Sequence, residues 1–398
     1  MTNAVIVDAV RTPSGKGKPG GQLSGVHPTE LLSGVLRALV SRNDLDPALV
    51  DDVIAGCVGQ AGEQAMNIAR SAVLGASFPE SVPATTVDRQ CGSSQQAAGF
   101  AAQGVISGAY EIVIACGVES MSRVPMGSAL HGRDPFGPGI TARYPDGLVN
   151  QGVSAELIAA RWKLDRDTLD AYAARSHARA AAAMTSGAFD KELASVTAPG
   201  PDGTERVLTI DETVRPGTDA QGLAALPASF ADEATARRFP EIEDWRITPG
   251  NSSPLTDGAS AVLIMSEEKA SELGMRPLAR FHSFAVTGSD PLLMLTGVVP
   301  ATQKVLARAG LAIDAIDAYE VNEAFAPVPL LWQREIGADP ERLNPRGGAI
   351  ALGHPLGASG TRLLTTLVHH LQATGGRYGL QTMCEGGGMA NATIIERI

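Results

Sequence analysis

Short apolar runs separated by polar turns dominate the chain, and two stretches repeat the same order of them. In the first, Asp52-Val53-Ile54-Ala55-Gly56-Cys57-Val58 reads as a strand, followed by a helical stretch from about Asn67 to Leu74 and a second strand from Ala84 to Asp88. A turn carrying Cys91 leads into a helix rich in Ala and Gly, and Glu111 to Cys116 closes the unit as another strand. In the second stretch, Asp317 to Val321 is the strand and Ala324 to Ile336 the helix. A glycine-rich turn carrying His354 then precedes a helix from about Ala358 to Ala373, and Gly379 to Cys384 is the closing strand. The repeat predicts two α/β units of like topology, with mixed or parallel sheets covered by helices, whose turns meet between the halves.

Residues 121–250 break this rhythm. Pro, Gly, Arg and Asp are frequent there, and only Ala155 to Ser186 has a strong helical pattern. The expected organisation is a first half from residues 1–120 and 251–270, an inserted loop domain over 121–250, and a second half over 271–398. Ala231 to Arg246, charged and proline-containing, is either a linker or a surface excursion.

Composition narrows the classes. The 398 residues are 44% apolar and 19% charged, with 44 glycines, which excludes a disordered or fibrous chain and suits tightly packed α/β structure. No apolar run approaches the roughly 18 residues a bilayer requires, so no membrane insertion is expected. Met1 to Val10 run straight into alternating apolar sequence, unlike a secretory leader, and Glu396-Arg397-Ile398 is unlike a peroxisomal tail. Four widely spaced cysteines without zinc-ligand spacing suggest a reduced, cytoplasmic protein with no metal site. The net charge of -11 argues against nucleic acid as a partner and requires any phosphorylated ligand to meet a local basic patch.

Three turns carry candidate chemistry. Cys91, between a strand and a helix with a small, polar first turn, feels the positive end of the helix dipole; it is either a nucleophile or a small buried residue. His354 lies in Gly347 to Gly360, where glycine density permits close approach to another group, and it is a base candidate or a satisfied core residue. Cys384 enters Glu385-Gly386-Gly387-Gly388, which reads as a tight turn or, with Cys91, as a two-thiol site. Asn322 follows a strand and would cap a helix or join the chemistry. Cys57 and Cys116 sit in apolar strands and are expected in the core. His369 and His370 are adjacent on a helix, point apart and make a poor metal site.

Together these segments resemble the thiolase family over essentially the whole chain. Val7 to Pro13 is similar to its opening strand, Asp88 to Gln96 to its nucleophile motif, and Val321-Asn322-Glu323-Ala324-Phe325 to its asparagine motif. Gly347 to Gly360 is similar to its histidine motif and Cys384 to Gly388 to its second-cysteine motif. The resemblance implies a five-layered α-β-α-β-α fold from two βαβαβαββ halves plus a loop domain, assembled as a homodimer or homotetramer. It implies that His354 deprotonates Cys91, that Cys91 attacks a 3-ketoacyl-CoA, and that Cys384 moves the proton of the acetyl-CoA enolate and of the incoming coenzyme A. His354 with Asn322, and the backbone N–H groups of Cys91 and Gly386, would be the two oxyanion holes. Ser253 matches a pantetheine contact, Met294 and Phe325 match the acyl and pantetheine channel, and Arg215 faces the nucleotide end or is an ordinary surface residue. Coenzyme A and acyl-CoA are then substrates, and no cofactor is implied.

Asn150-Gln151-Gly152 stands where many short-chain thiolases carry His-Met before glycine, placing Gln151 near the acyl pocket and resembling degradative members. The expected activity is thiolytic cleavage of 3-ketoacyl-CoA. The alternatives are a biosynthetic acetyl-CoA acetyltransferase, a decarboxylating ketoacyl synthase, which Cys384 argues against, and a non-catalytic acyl-CoA-binding protein.

Overall fold

The computed structural model describes residues 2–200 and 203–398. The chain begins with β1 (Ala4–Arg11), β2 (Gly15–Lys16), α1 (Pro28–Arg42), β3 (Asp52–Gly56), α2 (Ile68–Gly75), β4 (Ala84–Val87), α3 (Ser93–Ser107) and β5 (Ile112–Ser120). An excursion follows with α4 (Gly137–Arg143), α5 (Gln151–Arg161), α6 (Arg166–Thr185), the antiparallel pair β6 (Val196–Pro199) and β7 (Glu205–Leu208), α7 (Ala220–Ala224) and α8 (Glu233–Arg238). β8 (Thr256–Ser266) returns to pair with β5 and β1, and α9 (Glu267–Glu272) follows it. The remainder is β9 (Ala279–Gly288), α10 (Val298–Ala309), β10 (Ala318–Val321), α11 (Pro327–Ile336), α12 (Ala349–Leu352), α13 (Ser359–Thr374), β11 (Tyr378–Glu385) and β12 (Met389–Arg397).

The two stretches predicted to repeat build the same strand pattern. β3 lies parallel to β5, β5 antiparallel to β8, and β8 antiparallel to β1. Likewise β10 lies parallel to β11, β11 antiparallel to β12, and β12 antiparallel to β9. β1 and β9 touch only at Val5–Arg280 and Ile6–Ala279, so a two-residue seam joins the two patterns into a 10-stranded ladder. β1, β5 and β8 are buried along their whole length because helices cover both faces, which explains their almost unbroken apolar sequence.

Five layers result. α1 and α2 cover one outer face, α10 and α11 the other, and α3 packs on α13 between the sheets. The middle layer is possible because α3 offers Ala97, Ala98, Ala101 and Ala102 to Leu364, Leu367, Val368 and Leu371 of α13, whose spacing makes one helical stripe. Each such leucine stabilises by about 1.5–3 kcal/mol on burial. A Cβ at Gly360 would collide with the backbone nitrogen of Gln95, so this contact depends on glycine.

Some sequence expectations are corrected. The helical pattern from Ala155 to Ser186 is two helices: Lys163 takes a left-handed φ of 54°, and Asp165 caps α6 by accepting from Thr168 N at 2.8 Å. The helix expected from Ala324 begins at Pro327, and its N-cap is Ala326. Asn322 therefore caps no helix. The segment from Ala231 to Arg246 is an anchored excursion: Phe239 and Ile242 are buried, and Glu156 accepts from Arg246 N at 2.9 Å. Among the described residues no helix is long and apolar enough to cross a membrane, and no group of three or more His, Cys, Asp or Glu is placed to hold a metal ion.

Candidate active site

The nucleophile turn is built from its own polar side chains. Asp88 Oδ1 accepts from Gln90 N at 2.7 Å, and Ser93 Oγ accepts from Arg89 N at 3.0 Å while donating to Gln90 O at 2.5 Å. These bonds hold Gln90 at a φ of 47°, a strained value for a residue with a Cβ, and leave Cys91 at the start of α3. Cys91 is only 4% exposed. Burial pushes its thiol up, nearby Cys384 and Glu385 push the same way, and a hydrogen bond from the Gln151 side chain opposes them. Its place before α3 adds the helix dipole to that opposing side.

Close backbone approach brings the histidine loop to this turn. A Cβ at Gly357 would lie 2.6 Å from Cys57 Cα and from Val118 O, so the loop rests directly on β3 and β5. Glu119, at the end of β5, clamps it by accepting from Gly357 N at 2.8 Å, Val58 N at 3.0 Å, Gly59 N at 2.9 Å and Gln64 Nε2 at 2.8 Å. His354 N donates to Thr256 Oγ1 at 2.9 Å, which ties the loop to β8 as well.

The hydrogen bonds of His354 define its tautomer. Ser359 Oγ donates to Pro355 O at 2.8 Å, so its contact with His354 Nδ1 at 2.6 Å must be N–H donation from the ring. Nε2 is then the lone-pair nitrogen, and it accepts from Asn322 Nδ2 at 3.3 Å. Burial, assisted by the Arg362 guanidinium, lowers the His354 pKa to about 3, so the ring is neutral and can accept a proton.

Burial raises the Cys384 thiol to about 12, and the adjacent Asn322 side chain pulls it the other way. Asn322 Oδ1 has no partner, leaving an acceptor free inside the site. The neighbouring Glu323 fixes the segment: Oε1 accepts from Tyr172 Oη at 2.9 Å and Asn344 Nδ2 at 2.8 Å, and Oε2 from Ser176 Oγ at 2.7 Å and Ile350 N at 3.0 Å. Gly386 lies beside two glutamines; the position of a Cβ there is 3.1 Å from Gln90 Oε1 and 3.4 Å from Gln151 Nε2.

Cys91, His354, Asn322, Cys384, Gly386 and Gln151 thus come together. Arg215 and Ser253 do not join this cluster; with Lys16, Lys18, Pro254 and Leu255 they line a separate cavity of about 420 Å3. Ser253 Oγ donates to Ala324 O at 3.1 Å, two residues past Asn322, so the inner wall of the cavity adjoins the site. Lys16, Lys18 and Arg215 gather three cations in the cavity wall, a local basic patch in a chain of net charge -11. Phe325 meets Phe230 edge to face at 6.1 Å, and Phe230 packs against Gly152, next to Gln151. Met294 is buried in the same apolar cluster.

Sequence reading passed over Ser359, Glu119, Glu323, Lys16 and Lys18. Ser359 lies in the glycine-rich segment itself, and the two lysines flank Gly17 as a visible basic pair. Nothing in the local pattern marks Glu119, whose role comes from four groups distant in sequence. Glu385 was also passed over: both its oxygens are buried without a partner, and burial raises it to about 8, with Arg89 pulling down and Asp88 pushing up.

A layered pair of halves meeting at two thiols, a neutral imidazole and an amide defines an acyl-transferring enzyme, and the chain belongs to the thiolase family. The family model described as Thiolase, N-terminal domain matches residues 4–268, and that described as Thiolase, C-terminal domain matches 275–397. Among its relatives is the steroid 3-ketoacyl-CoA thiolase FadA6 of Mycobacterium tuberculosis, 48% identical over 100% of this chain and 95% of that protein. The 3-ketoacyl-CoA thiolase of Pseudoalteromonas translucida is 42% identical over 100% of both. A solved structure, the Bacillus anthracis acetyl-CoA acetyltransferase, superposes with a TM-score of 0.89 at 36% identity, covering 100% of this chain and 99% of that one.

Proposed function

We propose that this chain cleaves 3-ketoacyl-CoA with coenzyme A, giving acetyl-CoA and a shortened acyl-CoA, through a Cys91 acyl-enzyme. The convergence of Cys91, Cys384, His354 and Asn322 beside a cation-lined cavity carries this reading. The Cys91 thiol gives its proton to His354 Nε2, and its sulfur attacks the 3-keto carbon. The C2–C3 bond breaks, and the acetyl-CoA enolate takes the proton of Cys384. Coenzyme A then loses its thiol proton to Cys384 and attacks the acyl group on Cys91. The Cys91 sulfur leaves and recovers its proton from His354, so the enzyme returns unchanged.

Charge appears on two oxygens during these steps. His354 and Asn322 face the thioester oxygen of the acetyl unit, and the N–H groups of Cys91 and Gly386 face the acyl carbonyl. Lys16, Lys18 and Arg215 hold the phosphates at the cavity mouth, Ser253 meets the pantetheine arm, and Met294 and Phe325 wall the channel. No prosthetic group enters any step, so extensively dialysed, chelator-treated protein keeps its activity.

The biosynthetic direction is the second reading, favoured by the name of the Bacillus anthracis neighbour. Thiolysis rates across 3-ketoacyl-CoA substrates, from acetoacetyl to long and bulky chains, separate the two. A rate confined to the acetoacetyl compound supports the biosynthetic role, and no thiolysis by folded protein overturns the whole reading.

A homo-oligomer fits the edge at β4, the last strand of the ladder. Asn67 Nδ2 donates to Ala84 O at 3.0 Å on that strand, and next to it Met66 is 92% exposed. Such an edge with an apolar neighbour suits a second copy of the chain. Light scattering at the monomer mass would reject this. Four free cysteines suit a reducing compartment such as the cytoplasm.

A further inference from the structure

Gln151 occupies a position from which it can do more than line an acyl pocket. It is the first residue of α5, and that helix start is fixed on both sides. Asn150 caps it by accepting from Val153 N at 3.0 Å, while the Phe230 ring packs so closely on Gly152 that a Cβ there would collide with it. With the backbone held, Gln151 Nε2 lies 3.4 Å from the position of a Cβ at Gly386, and the amide is close enough to the Cys91 thiol to hold its pKa down against burial. One primary amide therefore stands between the nucleophilic sulfur and a backbone N–H proposed to face the acyl carbonyl.

We propose that Gln151 is a catalytic residue whose side-chain N–H follows the negative charge from the Cys91 sulfur to the acyl carbonyl oxygen. This rests on the thiolase reading above. Once His354 removes the thiol proton, the sulfur is an acceptor only, and an amide N–H is the partner it requires. When the sulfur attacks, its charge passes to the former keto oxygen, and the thioester sulfur left behind is a weak acceptor. The same N–H then turns toward the oxygen, beside the N–H groups of Cys91 and Gly386. A methionine or other apolar side chain at this position fills the space but cannot donate, so the residue distinguishes this site chemically as well as by shape.

The test replaces the donor while keeping the volume. Gln151→Met is a near-isosteric exchange that a packed site tolerates, and Gln151→His restores an N–H. Two readouts are compared with the parent chain after circular dichroism shows that each variant folds: alkylation of Cys91 by iodoacetamide against pH without substrate, and kcat and KM for thiolysis. Loss of one such donor is expected to shift the alkylation inflection in Gln151→Met upward by about one pH unit. It should also lower kcat about 10- to 1000-fold, with KM within about threefold. Gln151→His should recover part of both. A folded Gln151→Met with the parent alkylation profile and kcat overturns the inference, as does a folded Gln151→His no better than the methionine variant. A parent chain that alkylates at Cys91 but cleaves no 3-ketoacyl-CoA sinks the thiolase reading instead, because the alkylation arm needs no acyl-CoA.

Discussion

The turn after β4 and the loop after Leu343 occupy the same place in their halves, each leading into a helix of the middle layer. In the first half β4 is a full edge strand parallel to β3, and the chain passes from Val87 to Ser93 in one tight turn. In the second half the matching strand shrinks to a single parallel bridge between Tyr319 and Leu343, and residues 344–358, with only the one-turn α12 among them, intervene before α13 begins. The short turn presents a thiol at the start of its own helix. The long loop crosses to the opposite half and rests on β3 and β5, so the extra chain is what carries His354 to the nucleophile. Pseudo-symmetry accounts for where the two turns lie, and its local failure accounts for their different roles.

That comparison can be broken most sharply by removing the side chain each turn displays. Cys91→Ala should abolish thiolysis, while His354→Ala should lower kcat/KM by about 10²- to 10⁴-fold, the usual worth of a positioned acid or base. Equal, small losses in both variants would refute the division of roles. Gly360→Ala attacks the seam between the turns. Its Cβ meets the Gln95 backbone, so overpacking should cost about 1–3 kcal/mol in urea unfolding and reduce turnover by moving α13 away from α3. An unchanged midpoint and rate would mean that the halves are not held by this contact.

Acid should charge histidines that the fold buries as neutral rings. His354 is lowered to about 3 and His177 and His370 to about 4, each chiefly by burial, against about 6.5 in the unfolded chain. A lowered histidine pKa means that the unfolded state binds the proton first. Stability is therefore complete above about pH 6.5 and falls as pH drops toward 4, by up to about 1.4 kcal/mol per pH unit for each histidine. Urea midpoints measured across this window check the sign. The smallest effect belongs to the cavity mouth: Lys18→Ala should raise KM for coenzyme A a few-fold, less so in high salt, and leave kcat unchanged. A fall in kcat instead would place Lys18 nearer the chemistry than the cavity geometry does.

Much of the architecture was readable before any coordinates. The two strand, helix and strand patterns, the buried Cys57 and Cys116 and the three chemistry-bearing turns all come from local apolar runs and glycine density, signals that operate within about a dozen residues. Helix ends were read less well. The break at Lys163 and the late start of α11 at Pro327 were missed because both neighbouring segments keep helical periodicity, and only the cap and the turn conformation interrupt it. Asn322 was open between a cap and a chemical role; its side chain turned out to lie on His354 and Cys384.

The sequence by itself determined the two repeated strand and helix patterns and the turns that carry Cys91, His354 and Cys384, because these follow from residue type and nearest neighbours, and its motifs pointed to the family and through it to the five-layer plan. Tertiary structure alone decided the tautomer of His354, the clamp of Glu119, the separation of the basic cavity from the thiols and the reach of Gln151 to Cys91. Each of these depends on groups brought together from distant parts of the chain by the packing of one half on the other. The direction of a hydrogen bond between them is set by that packing, and no local pattern records it.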